Sequence, residues 1–76
     1  MGMTNTKNDI EFDIRLDRAF VALAQYLRRV RGYSYLDSYR AVGEKLETDS
    51  QFHASLYAYA SPGHGGLLFA DLVDML

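Results

Sequence analysis

Two histidines are the side chains of this chain best suited to acid–base chemistry, because an unperturbed imidazole titrates near neutral pH. They are His53 and His64. Nucleophilic catalysis needs a nucleophile, a base and a third group that orients the base. Ser50 and Ser55 flank His53 in sequence, but their positions suit a helix cap and a helix surface. We therefore interpret His53 as a solvent-exposed or partly packed histidine.

Carboxylates near the start of the chain are the second group with catalytic chemistry: Asp9, Glu11, Asp13 and Asp17. Their segment is too short to enclose a substrate, so a solvated acidic face is expected. The chain has no cysteine, and two histidines are too few ligands for a structural zinc ion. The sequence predicts a protein that is not an enzyme and has no cofactor, metal or small-molecule substrate.

A glycine-rich segment, Ser-Pro-Gly-His-Gly-Gly, occupies residues 61–66. It is superficially similar to the oxyanion loops of esterases, but the Gly-x-Ser-x-Gly nucleophile elbow is absent. Backbone amides of such a loop can also bind an anion at a helix start. Proline and glycine supply turn geometry directly, so a plain connection is the favoured interpretation.

Tyrosine and arginine dominate the middle of the chain. Between Tyr26 and Arg40 they fill eight of fifteen positions: Tyr26, Arg28, Arg29, Arg31, Tyr33, Tyr35, Tyr39 and Arg40. Both residue types are enriched at the energetic centres of protein interfaces. The segment is therefore the leading candidate for a binding surface.

Part of this segment has a structural explanation. Tyr26 and Tyr39 lie near predicted buried stripes, and Arg40 can pair with Asp37 or Glu44 on one helix face. The candidate partner-binding residues that remain are Arg28, Arg29, Arg31, Tyr33 and Tyr35. A solvated charged corner with incidental tyrosines is the alternative interpretation.

Nucleic acid is a second possible partner for the same residues. A helix-turn-helix arrangement would place a recognition helix at residues 35–47, but that helix has three acidic side chains and only Arg40 and Lys45 as cations. The net charge of −2 also differs from the basic total typical of nucleic-acid-binding domains. A small DNA-binding regulator is therefore the second hypothesis.

Hydrophobic spacing predicts the elements that position these residues. A helix is expected over residues 17–31, ended by Gly32, with a buried stripe that begins at Phe12 and continues to Val30. Residues 10–16 also alternate as a half-buried strand would. Ser34 is expected to cap a second helix, whose buried stripe would be Leu36, Tyr39, Val42 and Leu46.

A Thr-x-x-Gln capping box at Thr48 predicts the start of a third helix, and the apolar residues 67–76 predict a final one. The favoured fold is mainly α, a compact bundle of three or four short helices. The alternative is an α+β fold in which residues 10–16 and 54–60 pair as strands. Residues 1–8 are expected to form a flexible tail before a single small domain, residues 9–76.

The chain has 76 residues and no stretch apolar enough to span a bilayer or to act as a signal peptide. A cytoplasmic protein without membrane contact is therefore expected. Acidic and basic residues are segregated along the chain, an asymmetry that steers encounter with a charged partner.

The segment Tyr-Leu-Arg-Arg-Val-Arg-Gly-Tyr-Ser-Tyr from residue 26, the turn at residues 61–66 and the overall size resemble the small transcription inhibitors of lytic Xanthomonas phages. The resemblance covers nearly the whole chain. It implies a phage protein that acts in host takeover. Such a protein would bind the host RNA polymerase at the amino-terminal end of the β′ subunit and at nearby β-subunit elements. The resemblance further implies interference with σ-factor engagement, and hence inhibition of transcription initiation, in the host cytoplasm.

Overall fold

The structure, a computed structural model, describes residues 6–76, with side chains from residue 10 onward. This part of the chain contains four α-helices and no strand. They are α1 (Thr6–Arg31), α2 (Tyr35–Thr48), α3 (Ser50–Ala60) and α4 (Phe69–Met75), with a short turn, Pro62–Gly66, before α4. The mainly α prediction is confirmed. The α+β alternative is wrong, since residues 10–16 and 54–60 lie in α1 and α3.

Helix α1 begins earlier than residue 17, where the sequence predicted its secure part. Phe12 is half-buried and packs against Tyr57 of α3, with 5.6 Å between ring centroids. Ile10 and Ile14 remain exposed, so the alternating pattern marks no buried strand face. Residues 10–16 are therefore helical, and the contact of Phe12 with α3 is consistent with this conformation. Of the predicted tail, residues 1–5 lie outside the described residues, and residues 6–8 belong to α1.

The core is assembled from one apolar face of each helix. Its largest fully buried side chains include Leu23 and Leu27 of α1, Val42 of α2, Phe52 of α3 and Leu72 of α4. Burying a side chain of this size contributes about 1.5–3 kcal/mol to folding. The predicted final helix exists, and Leu72 places it in the core.

The turn between α1 and α2 is short and well defined. Gly32 has a φ of 73°, a conformation that only glycine adopts readily, and the Tyr33 amide donates to the Leu27 carbonyl at 3.1 Å. Ser34 then caps α2 as predicted, since its hydroxyl accepts from the Asp37 amide at 3.1 Å. The Asp37 carboxylate pairs with Arg40 at 3.8 Å, one of the two predicted pairings.

The cap of α3 differs from the prediction. Asp49, not Thr48, is the N-cap residue, and its carboxylate accepts from the amides of Gln51 and Phe52 at 3.0 and 3.1 Å. Thr48 instead ends α2 and donates its hydroxyl to the Glu44 carbonyl at 2.7 Å. Asp49 is favoured over Thr48 as the N-cap residue because its charged carboxylate oxygen also faces the positive end of the α3 dipole.

The glycine-rich segment forms a left-handed turn between α3 and α4. Gly63, His64 and Gly65 have φ values of 81°, 59° and 57°. The predicted turn conformation of this segment is therefore confirmed. His64 is the one residue other than glycine with a positive φ in the described chain. The final helix is shorter than predicted, and Leu68, just before it, is exposed.

Candidate protein-contact surface

The predicted partner-binding residues meet where α1 ends and α2 begins. We call residues 28–36 the α1–α2 corner. Three elements position it: the last turn of α1, the Gly32 turn and the first residues of α2. Because the turn is only three residues long, side chains at the end of one helix face side chains at the start of the next.

Arg28 is the centre of the corner. Its guanidinium donates to the Ser38 hydroxyl at 3.0 Å and lies over two rings, Tyr35 at 5.1 Å and Tyr39 at 5.5 Å. Cation–π contact adds roughly 0.5–1 kcal/mol at exposed sites. Arg28 is half-buried, so it is part of the α1–α2 packing as well as of the surface.

Ser38 is a residue that the sequence prediction missed. It is completely buried, accepts from Arg28 and donates its hydroxyl to the Tyr35 carbonyl at 2.7 Å. A buried hydroxyl needs such partners, because leaving it unsatisfied costs about 1–3 kcal/mol. The signal was its spacing of four residues before Val42, which places both on one helix face.

An aromatic row continues from the corner to the core. Phe20 of α1 stacks on Tyr39 at 5.9 Å, and Tyr39 meets Tyr35 at 4.9 Å. Tyr39 packs against the core as predicted, whereas Tyr35 is 64% exposed. The outer ring of the row is therefore held in place by Arg28 and Tyr39 and presents most of its surface to solvent.

The remaining predicted residues have different environments. Arg29 is exposed. Arg31 is also exposed, with its guanidinium 5.7 Å from the Tyr26 ring centroid and 3.3 Å from the Leu76 carbonyl oxygen. Tyr33 is 39% exposed on the turn itself. All five predicted residues thus lie at the corner, but Arg28 is the most internally engaged of them.

Two apolar residues of the corner were predicted to be buried, and that prediction is wrong. Val30 is 63% exposed and Leu36 is 70% exposed. Val30 follows Leu27, the last buried residue of α1, and Leu36 precedes Ser38, the first buried residue of α2, so both lie at helix ends beyond the core. Val30 and Leu36 add apolar area beside the exposed tyrosines.

The cations of α1 and α2 differ in whether they have acidic neighbours. Both cations of α2 have acidic neighbours: Arg40 pairs with Asp37 at 3.8 Å and Lys45 with Asp49 at 3.1 Å. For the arginines of α1, no carboxylate among the described side chains lies within 4.0 Å. The α1 arginines of the corner therefore have no ion-pair partner among the described side chains, unlike the two cations of α2.

His53 is another candidate group from the sequence analysis. His53 stacks on Tyr57 at 4.2 Å and is exposed. Among the described residues, no three His, Asp or Glu side chains form a group that could hold a metal ion. No helix in this range is long and apolar enough to cross a membrane.

Comparisons with known proteins add no relatives. No protein-family model matches the chain, and no curated protein or solved structure is significantly similar to it.

Proposed function

We propose that this chain is a non-enzymatic regulator that binds a protein partner through the α1–α2 corner. The observation that carries the proposal is the exposure of four large side chains within seven residues: Val30, Tyr33, Tyr35 and Leu36 are 39–70% exposed. A domain this small needs its apolar side chains for its own core. Tyrosine and arginine, the residue types of Tyr33, Tyr35 and Arg28, are enriched at interface hot spots, and Val30 and Leu36 add apolar area beside them.

The proposed partner is bacterial RNA polymerase, at its β′ and β subunits. The resemblance of the Tyr/Arg segment and the glycine-rich turn to phage transcription inhibitors supports this choice. In this proposal the protein acts in the host cytoplasm, interferes with σ-factor engagement and so inhibits initiation. The α1 arginines would speed encounter with an acidic polymerase surface, and the exposed rings would supply buried contact area.

DNA binding by α2 is the weaker alternative. Its two cations are already paired with acidic side chains, and Glu44 and Glu47 are exposed on the same helix. A helix in the major groove would bring these carboxylates toward phosphates. Duplex affinity that appears at low salt and falls steeply with added salt would support this alternative instead.

A matched pair of leucines gives the sharpest test. Leu36 is 70% exposed at the corner, and Leu68 is 69% exposed before α4. We expect Leu36→Gln to weaken binding to purified polymerase core enzyme by about tenfold, since hot-spot truncations exceed 1 kcal/mol. Leu68→Gln should bind like the parent protein. Both variants should keep the parent circular dichroism spectrum.

The readout is titration of labelled protein with core enzyme, followed by σ-factor competition. Equal affinities for the two leucine variants would place the contact outside the α1–α2 corner. If the parent protein does not bind core enzyme at all, the polymerase assignment is wrong, whatever the corner does.

A further inference from the structure

A half-open cleft of about 290 Å³ lies between α1 and the segment formed by the end of α3, the glycine-rich turn and α4. No residue of the α1–α2 corner lines it. Its floor is apolar and consists of Ala19, Ala22, Ala60 and Phe69. The alanines leave room where larger side chains would close the space between the helices.

Two guanidinium groups line this cleft, those of Arg15 and Arg18. Arg15 is half-buried, and its Nε donates to the carbonyl of Ala60 at the end of α3. This bond satisfies an orphan carbonyl at the negative end of a helix and fixes the guanidinium. Arg18 follows one turn later and is exposed. Neither has a carboxylate within 4.0 Å among residues with described side chains.

Tyr59 and His64 complete the lining. Their rings lie 4.6 Å apart, and His64 Nδ1 is 2.8 Å from the Tyr59 carbonyl oxygen. A carbonyl can only accept, so Nδ1 carries the hydrogen. His64 makes this contact from a left-handed backbone conformation, with a φ of 59°. This part of the lining is therefore held by its own contacts before any ligand arrives.

We infer that this cleft binds a small amphipathic carboxylate, in which an apolar ring carries the acidic group. The ring fits the alanine and phenylalanine floor, and the carboxylate complements two guanidinium groups that no described side chain neutralises. Arginine matches carboxylate geometry through paired N–H donors. Ligand pockets usually measure about 300–1,000 Å³, so this cleft suits a single ring rather than a nucleotide. The inference does not depend on the function proposed for the α1–α2 corner.

The test is an NMR titration of the full chain with hydrocinnamate, a phenyl ring joined to a carboxylate by a short linker. The matched probe is hydrocinnamamide, which has the same shape without the charge. We expect saturable shifts of the Ala19, Ala22 and Ala60 amides with hydrocinnamate. The uncharged amide should bind about fivefold more weakly, because a partly exposed ion pair is worth up to about 1 kcal/mol.

Arg18→Gln and Arg29→Gln form the matched variant pair, since both arginines are exposed on α1 and only Arg18 lines the cleft. Arg18→Gln should weaken hydrocinnamate binding about fivefold, and Arg29→Gln should leave it unchanged. Equal effects of both changes, or shifts scattered over all arginines, would show general ion pairing and overturn the inference. So would an absence of saturable shifts.

A further titration distinguishes two ligands for the cleft, a free small carboxylic acid and an acidic side chain of a partner protein. An acetylated and amidated Ala-Asp-Phe-Ala peptide carries the same two chemical groups. Cleft shifts produced by this peptide and not by hydrocinnamate would assign the cleft to a peptide and overturn the small-molecule inference. Tighter binding of hydrocinnamate than of the peptide supports it.

Discussion

Arg28 and Ser38 join α1 to α2 through a hydrogen bond of 3.0 Å at the edge of the core. Ser38 is fully buried, and its hydroxyl donates a second hydrogen bond to the Tyr35 carbonyl. The same guanidinium holds the rings of Tyr35 and Tyr39. One arginine thus connects the packing of two helices with the orientation of the exposed Tyr35 ring.

Replacement of Ser38 tests this connection. Ser38→Ala removes one acceptor and one donor and leaves the half-buried Arg28 without its hydroxyl partner. We expect the free energy of unfolding to fall by about 1–3 kcal/mol, measured by urea denaturation. Ser50→Ala is the control, because Ser50 is exposed and begins α3. Equal stability of the two variants would mean that the Arg28–Ser38 bond contributes nothing.

Variants of Arg28 and Arg29 should show which of these arginines stabilises the fold as well as belonging to the proposed binding surface. Arg28→Gln removes the hydrogen bond to Ser38 and both ring contacts, so we expect a loss of about 1–2 kcal/mol in unfolding free energy. Arg29→Gln changes an exposed side chain and should stay within about 0.5 kcal/mol of the parent. Thermal and urea unfolding measure both. A combined change of Arg28, Arg29 and Arg31 would therefore confuse a binding defect with a folding defect.

The sequence was sufficient for the helical class, the Ser34 cap and the position of the α1–α2 corner. These features depend on local signals: hydrophobic spacing, a capping hydroxyl and a glycine that accepts positive φ. The extent of α1 was not decided locally, because residues 10–16 satisfy both a helical and an alternating pattern. Packing of Phe12 on Tyr57, a contact distant in sequence, is consistent with the helical choice.

Local sequence patterns also failed to predict the buried face of α2. Leu36 and Ser38 lie two residues apart, and hydropathy alone favours burial of the leucine. Ser38 is the buried one because Arg28 and the Tyr35 carbonyl satisfy its hydroxyl. No local pattern reports such a partner on another helix. The cleft beside α1 was missed for a similar reason, since its lining comes from residues 15–69.

Asp49 should make stability depend on pH in the acidic range. The amide of Phe52 donates to its carboxylate and Lys45 bonds to it, and these contacts lower the pKa of Asp49 below its ordinary value of 3.8. The charged form is therefore favoured in the folded state. The stabilisation is fully present above the unfolded-state pKa, near pH 4, and disappears as the pH falls through the lower folded-state pKa.

Asp49→Asn isolates this charge, because asparagine is also a good N-cap residue. We expect the variant to have a lower urea midpoint than the parent at neutral pH, and the difference to vanish in strong acid. Ser50→Ala, which changes the exposed and uncharged residue next to Asp49, is the control and should keep the pH dependence of the parent. A gap between parent and Asp49→Asn that stays constant down to low pH would contradict the assigned cause.

Gly65 should be far less tolerant of alanine than Gly66, although both have positive φ values, 57° and 76°. A Cβ added at Gly65 would lie 2.9 Å from the Ala58 Cβ, whereas nothing lies within 4 Å of one added at Gly66. Gly66→Ala should therefore lower the free energy of unfolding by only the cost of a left-handed alanine, about 1–2 kcal/mol. Gly65→Ala should have this cost and a steric cost in addition, so its melting temperature should be lower than that of Gly66→Ala.

Ala58→Gly provides the decisive comparison for that steric term. By itself it should destabilise α3 by about 1 kcal/mol, the usual effect of glycine within a helix. Combined with Gly65→Ala it removes the atom that the new Cβ would meet, so the double variant should be more stable than the sum of the two single effects. Combined with Gly66→Ala the effects should add, because those positions share no close contact. Additivity in both pairs would mean that the turn moves away from α3 without loss, and that its close approach there is not needed to hold His64 against Tyr59.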